Sequence, residues 1–290
     1  METRQETWTR RVLLTAACTS LLTLGGIVAF LFGEGLPLFQ HLSFSEFLLG
    51  HSWYPTEEPP AFGIFPLLTG SLAVTALSSC IAVPLGVMTA IYLAEIAHPL
   101  TRRIVKPFVE LLAALPSVVI GFVGMVVVAP WLQEGLGAAS GLNLLNAGLM
   151  LAFMSVPTIC SVAEDALHAV PQALREASLA LGATRWETIA RVTVPAALSG
   201  IGTAVMLGMS RAIGETMVVL MVAGGAGITP ASLLAPVRPM PASIAAEMAE
   251  APFRGDHYHA LFAIGITLFL LTLAFNVVAQ RIAEKHQAGA

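Results

Sequence analysis

A polar segment between two long apolar runs carries the clearest structural signal, and it reads PQALREASLALGATRWETIARVTVP (residues 171–195). A proline suits the first position of a helix, where its missing N–H costs nothing. Gly182 is expected to end that helix, because glycine is favoured just past helix ends. Thr184 and Glu187 have the spacing of a capping box, which predicts a second helix that ends at Pro195. Residues 171–195 are therefore predicted to be a helix–turn–helix unit, called the hairpin below.

Six apolar runs flank this hairpin, and each is long enough to cross a membrane, which takes about 20 mostly apolar residues. The runs cover residues 12–32, 64–93, 107–132, 144–162, 196–224 and 260–282. Helices are the expected form, because lipid offers no hydrogen-bond partner to the backbone. The first run is longer than the apolar core of a signal peptide, so we expect it to be retained. The predicted fold is an all-α polytopic membrane protein, with six spans in one domain over residues 1–290.

The composition excludes a soluble globular enzyme. Hydrophobic types make up 56% of the 290 residues and charged types only 11%, whereas a typical soluble domain has about 25% charged residues. The net charge is −4 and there is no basic tract, so the expected surroundings are membrane lipid, with no nucleic-acid partner. The cysteines lie in apolar runs and suggest small buried hydrophobes, so no metal site or cofactor is expected. They are Cys18, Cys80 and Cys160.

The distribution of lysine and arginine predicts the orientation. Eleven basic residues fall in the two termini and in the loops at 95–106 and 163–195, against two, Arg238 and Arg254, in the opposite loops. Basic residues are enriched in cytoplasmic loops. We therefore expect a multi-pass protein of the cytoplasmic (inner) membrane with both termini in the cytoplasm. The long segments 33–63 and 225–259 would then lie outside.

The surface of the hairpin near its turn mixes small and apolar residues. These residues are Ala177, Ser178, Ala180, Leu181 and Ala183. Such a surface lets a second protein approach closely. The pattern alone leaves two alternatives open, which are docking to another protein and packing against the chain's own membrane helices.

A longer pattern in this loop resembles that of a known family. EAS at 176–178, three residues, Gly182, nine residues and VTVP at 192–195 resemble the EAA loop of ABC-importer permeases. The family's pattern is Glu-Ala-Ala, Gly and Ile-x-Leu-Pro at the same spacing, and the three departures here are conservative in size. The resemblance implies a MetI-like permease fold, and a loop 163–195 that inserts into a cytoplasmic ATPase subunit. The coupling residues would be Glu176, Ala177, Ser178, Gly182 and Pro195.

The chain has no ATP site of its own to drive transport. A P-loop requires Gly-x-x-x-x-Gly-Lys-Ser/Thr, and the only two lysines, Lys106 and Lys285, do not follow a glycine. We therefore expect a transporter subunit rather than an enzyme. If transport is driven by ATP, a separate polypeptide hydrolyses it.

Charged residues within a span suggest what is transported. Arg211 lies about 15 residues into the fifth run, or roughly 22 Å along a helix axis, and Glu215 four residues later would share its helix face. A charge at the bilayer centre costs about 2.5–3.5 kcal/mol, so such groups usually face a cavity or a bundle interior. They either form a structural pair or contribute to an anion path, for which a guanidinium offers bidentate donors. Ser117, next to Pro116, is a further candidate donor.

Three stretches resemble phosphate ABC-transporter permeases. RAIGETM at 211–217 is similar to the family's Arg-Ala-x-Gly-Glu-Thr stretch, and LLAALPSVV at 111–119 is similar to its third-span region. WYPTEEPPAFG at 53–63 and the long loop 225–259 resemble the PstC-type subunit more than the PstA-type one. The likeness runs from about residue 50 to 282 and implies inward phosphate transport. The implied partners are a PstA-type permease, two copies of an ATPase and an extracytoplasmic phosphate-binding protein.

Several alternatives are less favoured. The companion PstA-type permease, or a permease for another oxyanion, would share most of these features. A stand-alone ion-coupled carrier usually has repeated halves, and none is visible. An intramembrane enzyme needs a catalytic set within its spans, and none is found. Glu110 is expected near the cytoplasmic surface, and His257 and His259 form only a weak metal-binding pattern.

Overall fold

The computed structural model describes residues 4–287, with side chains described over residues 8–281. The side chains of Arg4 and Lys285, which count toward the charge bias, lie outside that range. The elements in chain order are α1 (Arg4–Gly35), a 3₁₀ turn (Leu36–Gln40), α2 (Phe44–Leu49), β1 (Trp53–Tyr54), β2 (Ala61–Phe62), α3 (Phe65–Ile91), α4 (Pro99–Ala113), α5 (Ser117–Val123), α6 (Ala129–Leu136), α7 (Leu144–His168), α8 (Gln172–Ala180), α9 (Arg185–Thr188), α10 (Val194–Ala196), α11 (Leu198–Ile213), α12 (Met217–Val222), α13 (Met240–Glu247) and α14 (Asp256–Gln287). Single π-helical turns extend α3 and join α5 to α6 and α9 to α10; they are Tyr92–Ile96, Gly124–Val128 and Ile189–Thr193.

Five helical stretches in the described part of the chain have the length and hydropathy of membrane spans. They are Trp8–Gln40, Phe65–Ile96, Ser117–Leu136, Leu144–His168 and Asp256–Arg281. A sixth forms when Arg185–Ala196 and Leu198–Ile213, which meet at 67°, are taken together. The prediction of an all-α polytopic membrane fold is confirmed, with the fifth predicted span as its irregular member.

The third span begins later than its composition predicts. The apolar run starts at residue 107, but the chain leaves the helical conformation at residues 114–116, and the spanning helix begins at Ser117. Proline disfavours the helical conformation of the residue before it, and Pro116 has this effect on Leu115. Residues 107–113 instead complete α4, an amphipathic helix without a fully buried residue.

The predicted fifth span, residues 196–224, is two helices rather than one. α11 ends at Ile213, residues 214–216 are not helical, and the short α12 begins at Met217. Gly214 lies at the break, where its low helix propensity favours an interruption. The second helix of the hairpin also differs from its predicted end, because it runs on to Ala196 with Pro195 in the first turn of α10. The chain then bends at Ala197.

The centre of the bundle is α7, which packs against α3 and α11 at glycines. A Cβ atom on Gly86 or on Gly208 would lie within 3 Å of the Ile159 side chain, and one on Gly148 would lie 2.5 Å from Leu77. The backbones of α3 and α11 therefore lie directly against α7. By contrast, residues 8–27 of α1 are all exposed, and this helix packs on α14 near its end, where the Phe30 ring meets the Phe262 ring edge-on.

The segments at the end of the bundle opposite the hairpin fold into a compact cap. Its buried side chains include Phe47, Trp53, Phe62, Met240 and Leu261. The helix α13 also belongs to the cap, and its first turn is buried there, with Met240 and Ser243 fully enclosed.

Candidate functional site

The turn of the hairpin has the predicted geometry. Gly182 has a φ of +87°, a conformation that favours glycine because it lacks a Cβ atom. The Thr184 hydroxyl accepts a hydrogen bond from the Glu187 N–H at 3.2 Å, and the Glu187 carboxylate accepts one from the Thr184 N–H at 2.8 Å. The capping box is therefore confirmed. The hydroxyls of Ser178 and Thr188, 2.9 Å apart, link the two helices of the hairpin.

The capping box also changes the acidity of Glu187. The hydrogen bond from the Thr184 backbone N–H is the largest cause, and together with the Thr184 hydroxyl it lowers the pKa of the Glu187 carboxyl below its usual 4.5. Arg191 adds a smaller effect in the same direction. A carboxylate in the first turn of a helix also interacts favourably with the helix dipole. This end of the hairpin is thus held by an ionised group at neutral pH.

An ion pair joins the hairpin to the bundle. Arg175 Nη2 lies 2.7 Å from Glu95 Oε1 and donates to the carbonyl of Leu167 at 2.8 Å. Glu95 belongs to the π-helical turn that ends α3, and Leu167 belongs to the last turn of α7. Both charged side chains are mostly buried, at 25% and 12% exposed. Sequence reasoning missed this pair, because 80 residues separate its members.

The remaining surface of the hairpin faces away from the bundle. Leu181 is 90% exposed and Trp186 is 67% exposed, and Ala177 next to them is exposed as well. Glu176 is exposed and accepts a hydrogen bond from Gln172 at 2.9 Å, while Pro195 is exposed at the far end. The chain's own membrane helices do not cover the apolar residues at the turn. This exposure favours the docking alternative.

Arg211 lies in the last turn of α11, level with the middle of α7. Gly200 of α11 packs against Ala166, and Gly208 packs against Ile159, so α11 runs antiparallel to α7. One further turn brings Arg211 opposite the central residues of this 25-residue helix. Its side chain is exposed, and among the side chains described it has no hydrogen-bond acceptor or ion-pair partner. The described part of the chain therefore leaves this guanidinium unneutralised.

Glu215 does not share a helix face with Arg211, which corrects the sequence prediction. The helix ends at Ile213, two residues before Glu215, so the four-residue helical spacing does not apply. The Glu215 carboxylate instead accepts a hydrogen bond from the N–H of Val218, at 3.4 Å, in the first turn of α12. The predicted structural pair between Arg211 and Glu215 is not formed. Glu215 is partly buried, and its carboxylate provides an acceptor for a backbone N–H at the start of α12.

Ser117 begins α5, which runs parallel to α12. Gly121 of α5 lies against Val218, and Gly124 lies against Val222, so the order of contacts is the same along both helices. Both helices begin after a break in the chain, α5 after Pro116 and α12 after residues 214–216. Their N-terminal ends are therefore at a similar level, close to the end of α11. Ser117 is partly exposed there.

Two further ionic clusters lie at the ends of the bundle. At the hairpin end, Glu164 is 1% exposed and pairs with Arg102 at 3.0 Å and with Lys106 at 3.3 Å. In the cap, the Glu247 carboxylate accepts hydrogen bonds from Trp53 Nε1 at 3.1 Å and contacts His257 Nε2 at 2.9 Å. Arg238 also pairs with Glu247. The histidine that the sequence flagged as a weak metal ligand is thus part of a hydrogen-bond network.

The comparisons with known proteins agree with the multi-pass membrane fold described above. Residues 82–287 match the family model described as binding-protein-dependent transport system inner membrane component. The chain is 36% identical to the probable ABC transporter permease protein YqgH of Bacillus subtilis, over 99% of this chain and 94% of that protein. It is 37% identical to the phosphate transport system permease protein PstC of Mesorhizobium japonicum, over 91% of this chain and 86% of that protein.

Solved structures have the same fold at low sequence identity. A bacterial alginate ABC transporter in complex with an alginate-pentasaccharide-bound periplasmic protein matches with a TM-score of 0.66 and 17% identity, covering 98% of both chains. The inward-facing MetNI methionine ABC transporter matches with a TM-score of 0.58 and 21% identity, covering 77% of this chain and 94% of that one. The chain belongs to the binding-protein-dependent transport system inner membrane components, a family of multi-pass permeases of ABC transporters.

Proposed function

We propose that this chain is the PstC-type membrane subunit of an ATP-driven importer that moves inorganic phosphate across the inner membrane. Relatives named PstC, at 37% and 36% identity over 91% and 81% of the chain, support this assignment over the companion PstA-type permease. The observation that carries the proposal is the unpaired Arg211 at mid-depth. A phosphate ion would supply the acceptor that the chain itself does not provide.

Arg211 would bind phosphate through its guanidinium. That group presents planar, bidentate donors that match the geometry of an oxyanion. An unpaired charge at mid-membrane is costly next to lipid, so the exposed face of Arg211 is expected to line a path between this chain and a second permease. The N-terminal ends of α5 and α12 lie at a similar level, and the positive ends of interrupted helices favour anions in transporters.

Glu215 and Ser117 would have supporting roles at this site. Ser117 lies at the start of α5, where its hydroxyl can donate to an oxyanion. Glu215 holds the first turn of α12 through Val218. A carboxylate also accepts a hydrogen bond from the P–O–H group of a monoprotonated or diprotonated phosphate, which a fully deprotonated anion cannot donate. Glu215 would thus fix the break and favour an anion that carries a hydrogen.

The hairpin would couple this site to ATP hydrolysis on a separate ATPase. Residues 176–178, with the exposed turn around Gly182, form the surface that would insert into the ATPase. Motion of the hairpin would reach the transport site directly, because its second helix continues through the 67° bend into α11, which carries Arg211. The Arg175–Glu95 pair would transmit the same motion to α3.

The full assembly would contain a PstA-type permease, an ATPase dimer and an extracytoplasmic phosphate-binding protein. Both termini and the hairpin would face the cytoplasm, in agreement with the eleven-to-two distribution of basic residues. The cap would then face the binding protein. The exposed residues 8–27 of α1 would contact lipid or the second permease.

The test is ATP-dependent uptake of labelled phosphate by the complex reconstituted in liposomes, with sulfate and molybdate as competitors. We expect uptake only when the ATPase is present, and competition by unlabelled phosphate alone. Arg281→Gln, which removes an exposed charge at the hairpin end of the bundle, serves as the control for Arg211→Gln. Uptake by the permeases without the ATPase, or equal competition by sulfate, would contradict the proposal.

A further inference from the structure

α4 is an amphipathic helix with one face on the bundle and another uncovered. Val105 and Val109 pack toward the cluster formed by α3, α7 and α11. The opposite face carries apolar side chains at intervals of four and three residues, which places them on one stripe. They are Leu100, Ile104, Phe108 and Leu111, which are 59%, 52%, 63% and 65% exposed. Nothing in the described part of the chain covers this stripe.

A cavity of about 490 Å³ opens beside the stripe, between α4 and the π-helical turn that ends α3. Its charged lining consists of Arg102, Arg103, Lys106 and Glu110, and its apolar lining includes Leu93. Cavity and stripe adjoin on the surface of α4, because residues three or four apart are neighbours there. Arg103 of the cavity lies three residues from Leu100, and Pro107 lies three from Ile104 and four from Leu111.

The three cations that line the cavity differ in whether they have an acidic partner. Arg102 is tied to Glu164, and Lys106 contacts both Glu164 and Asp165. Desolvation acts to lower the pKa of Lys106, but these carboxylates outweigh it and the pKa is raised, so Lys106 stays charged at neutral pH. Arg103 is exposed and has no acceptor among the described side chains. With Glu164 and Asp165 counted beside Glu110, three cations face three carboxylates around the cavity, and Arg103 is the cation without a partner among the described side chains.

We propose that the α4 cavity and its apolar stripe bind an anionic phospholipid of the cytoplasmic leaflet. The phosphodiester would lie against Arg103, and the acyl chains would lie along Leu100, Ile104 and Phe108. A helix with an apolar face beside basic residues is typical of elements that lie in the membrane interface, and the cytoplasmic leaflet carries the anionic lipids. This inference rests on the orientation given under the proposed function.

The stripe is what favours a lipid over free phosphate. Inorganic phosphate would satisfy Arg103 but would leave four large apolar side chains uncovered. A phospholipid has both a charged headgroup that can lie against Arg103 and acyl chains that can cover the stripe. Its binding would also hold the first turns of α4 at the cytoplasmic surface, ahead of the break at residues 114–116 from which the span containing Ser117 begins.

The test is native mass spectrometry of the full permease–ATPase complex, purified in detergent and titrated separately with phosphatidylglycerol, phosphatidylcholine or inorganic phosphate. We expect tighter retention of phosphatidylglycerol than of phosphatidylcholine. Arg103→Gln should weaken retention of phosphatidylglycerol by about fivefold, which corresponds to the loss of one interfacial charge. The exposed residue Arg281, at the same end of the bundle, supplies the control Arg281→Gln, which should retain phosphatidylglycerol as the unchanged chain does.

A second variant tests the apolar part. Phe108→Ser should lower retention of both lipids, because it removes acyl-chain contact and leaves the charges intact. Equal retention of phosphatidylglycerol by Arg103→Gln and the unchanged chain would overturn the inference, as would displacement of phosphatidylglycerol by inorganic phosphate at similar concentration. Lipid retention is measured without transport, so its failure would leave the proposed phosphate uptake standing.

Discussion

Arg175 and Arg211 lie in adjoining segments of the chain, and they differ in what surrounds them. Arg175, in the hairpin, contacts the Glu95 carboxylate at 2.7 Å and the Leu167 carbonyl at 2.8 Å. Arg211, at the end of α11, has no acceptor among the described residues and is exposed. One arginine thus has two acceptors within its own chain, and the other has none among the described residues.

The difference supports the proposed division between a mechanical role for Arg175 and a transport role for Arg211. A charge that is paired inside the chain fixes the position of one element on another, as Arg175 fixes the hairpin on α3 and α7. A charge without a partner in its own chain contributes nothing to such packing, and at membrane depth it is costly. Arg211 is therefore better explained by a ligand path than by stability. Four experiments test this distinction.

The largest effect is expected at Arg211. Arg211→Gln should lower ATP-dependent phosphate uptake by about 100-fold, the size expected when one side of a desolvated charge pair is removed. Arg211→Lys should recover only part of the activity, because an ammonium group cannot bind an oxyanion in the bidentate manner. The measurement is labelled phosphate uptake in liposomes. Full uptake by Arg211→Gln at normal membrane abundance would remove Arg211 from the path.

A smaller effect, roughly a tenfold loss of phosphate-stimulated ATP hydrolysis, is expected from Gly182→Pro. Proline fixes φ near −65°, whereas Gly182 has +87°, so the turn between α8 and α9 cannot form as observed. Gly202→Ala in α11 is the control, since a Cβ atom there meets open space. Unchanged capture of the ATPase and unchanged hydrolysis by Gly182→Pro would count against hairpin docking. Both variants should insert normally into the membrane.

The Arg175–Glu95 pair should affect stability more than substrate binding. Glu95→Gln is expected to cost about 2 kcal/mol, the usual size for a hydrogen bond to a charged group. Arg175→Gln combined with Glu95→Gln should cost less than the sum of the single changes, because both remove one interaction. Thermal unfolding of the purified complex measures this cycle. Strictly additive losses would show that the pair does not act as a unit.

The smallest effect concerns the capping box and depends on pH. The folded-state pKa of Glu187 is lowered, so its contribution is present above its usual pKa of 4.5 and is lost as the pH falls through the lowered value. NMR titration of the Glu187 carboxyl carbon in the full chain measures this midpoint. Thr184→Ala should raise it only part of the way toward 4.5, because the variant removes the hydroxyl but keeps the backbone N–H, which is the larger cause. A midpoint that Thr184→Ala leaves unchanged would show that the hydroxyl has no part in lowering the pKa.

Local features of the hairpin followed from the sequence because they depend on neighbouring residues. The Gly182 turn needs only a residue that tolerates positive φ, and the capping box needs only Thr184 and Glu187 at the right spacing. Apolar length likewise predicted the number of spans, because a bilayer imposes that length on any helix. These signals act over a few residues, and no tertiary contact is needed to recognise them.

The effect of the two breaks and the long-range ion pairs did not follow. Pro116 and Gly214 are visible in the sequence as helix-breaking residues, but apolar residues continue beyond both, so the spans were drawn through them. The predicted face shared by Arg211 and Glu215 failed for that reason, since it required the helix to continue past Ile213. The pairs at Glu164 and Glu247 join distant segments, whose approach is decided by how the helices pack rather than by local pattern.

The most direct test of this division of roles is the amount of phosphate imported per ATP hydrolysed, measured in the same liposomes for the unchanged complex and for Arg211→Gln. The account predicts that Arg211→Gln still captures the ATPase and hydrolyses ATP but imports almost no phosphate, so that the ratio falls by about 100-fold. An unchanged ratio would contradict it, because Arg211 would then have no part in the passage of phosphate itself.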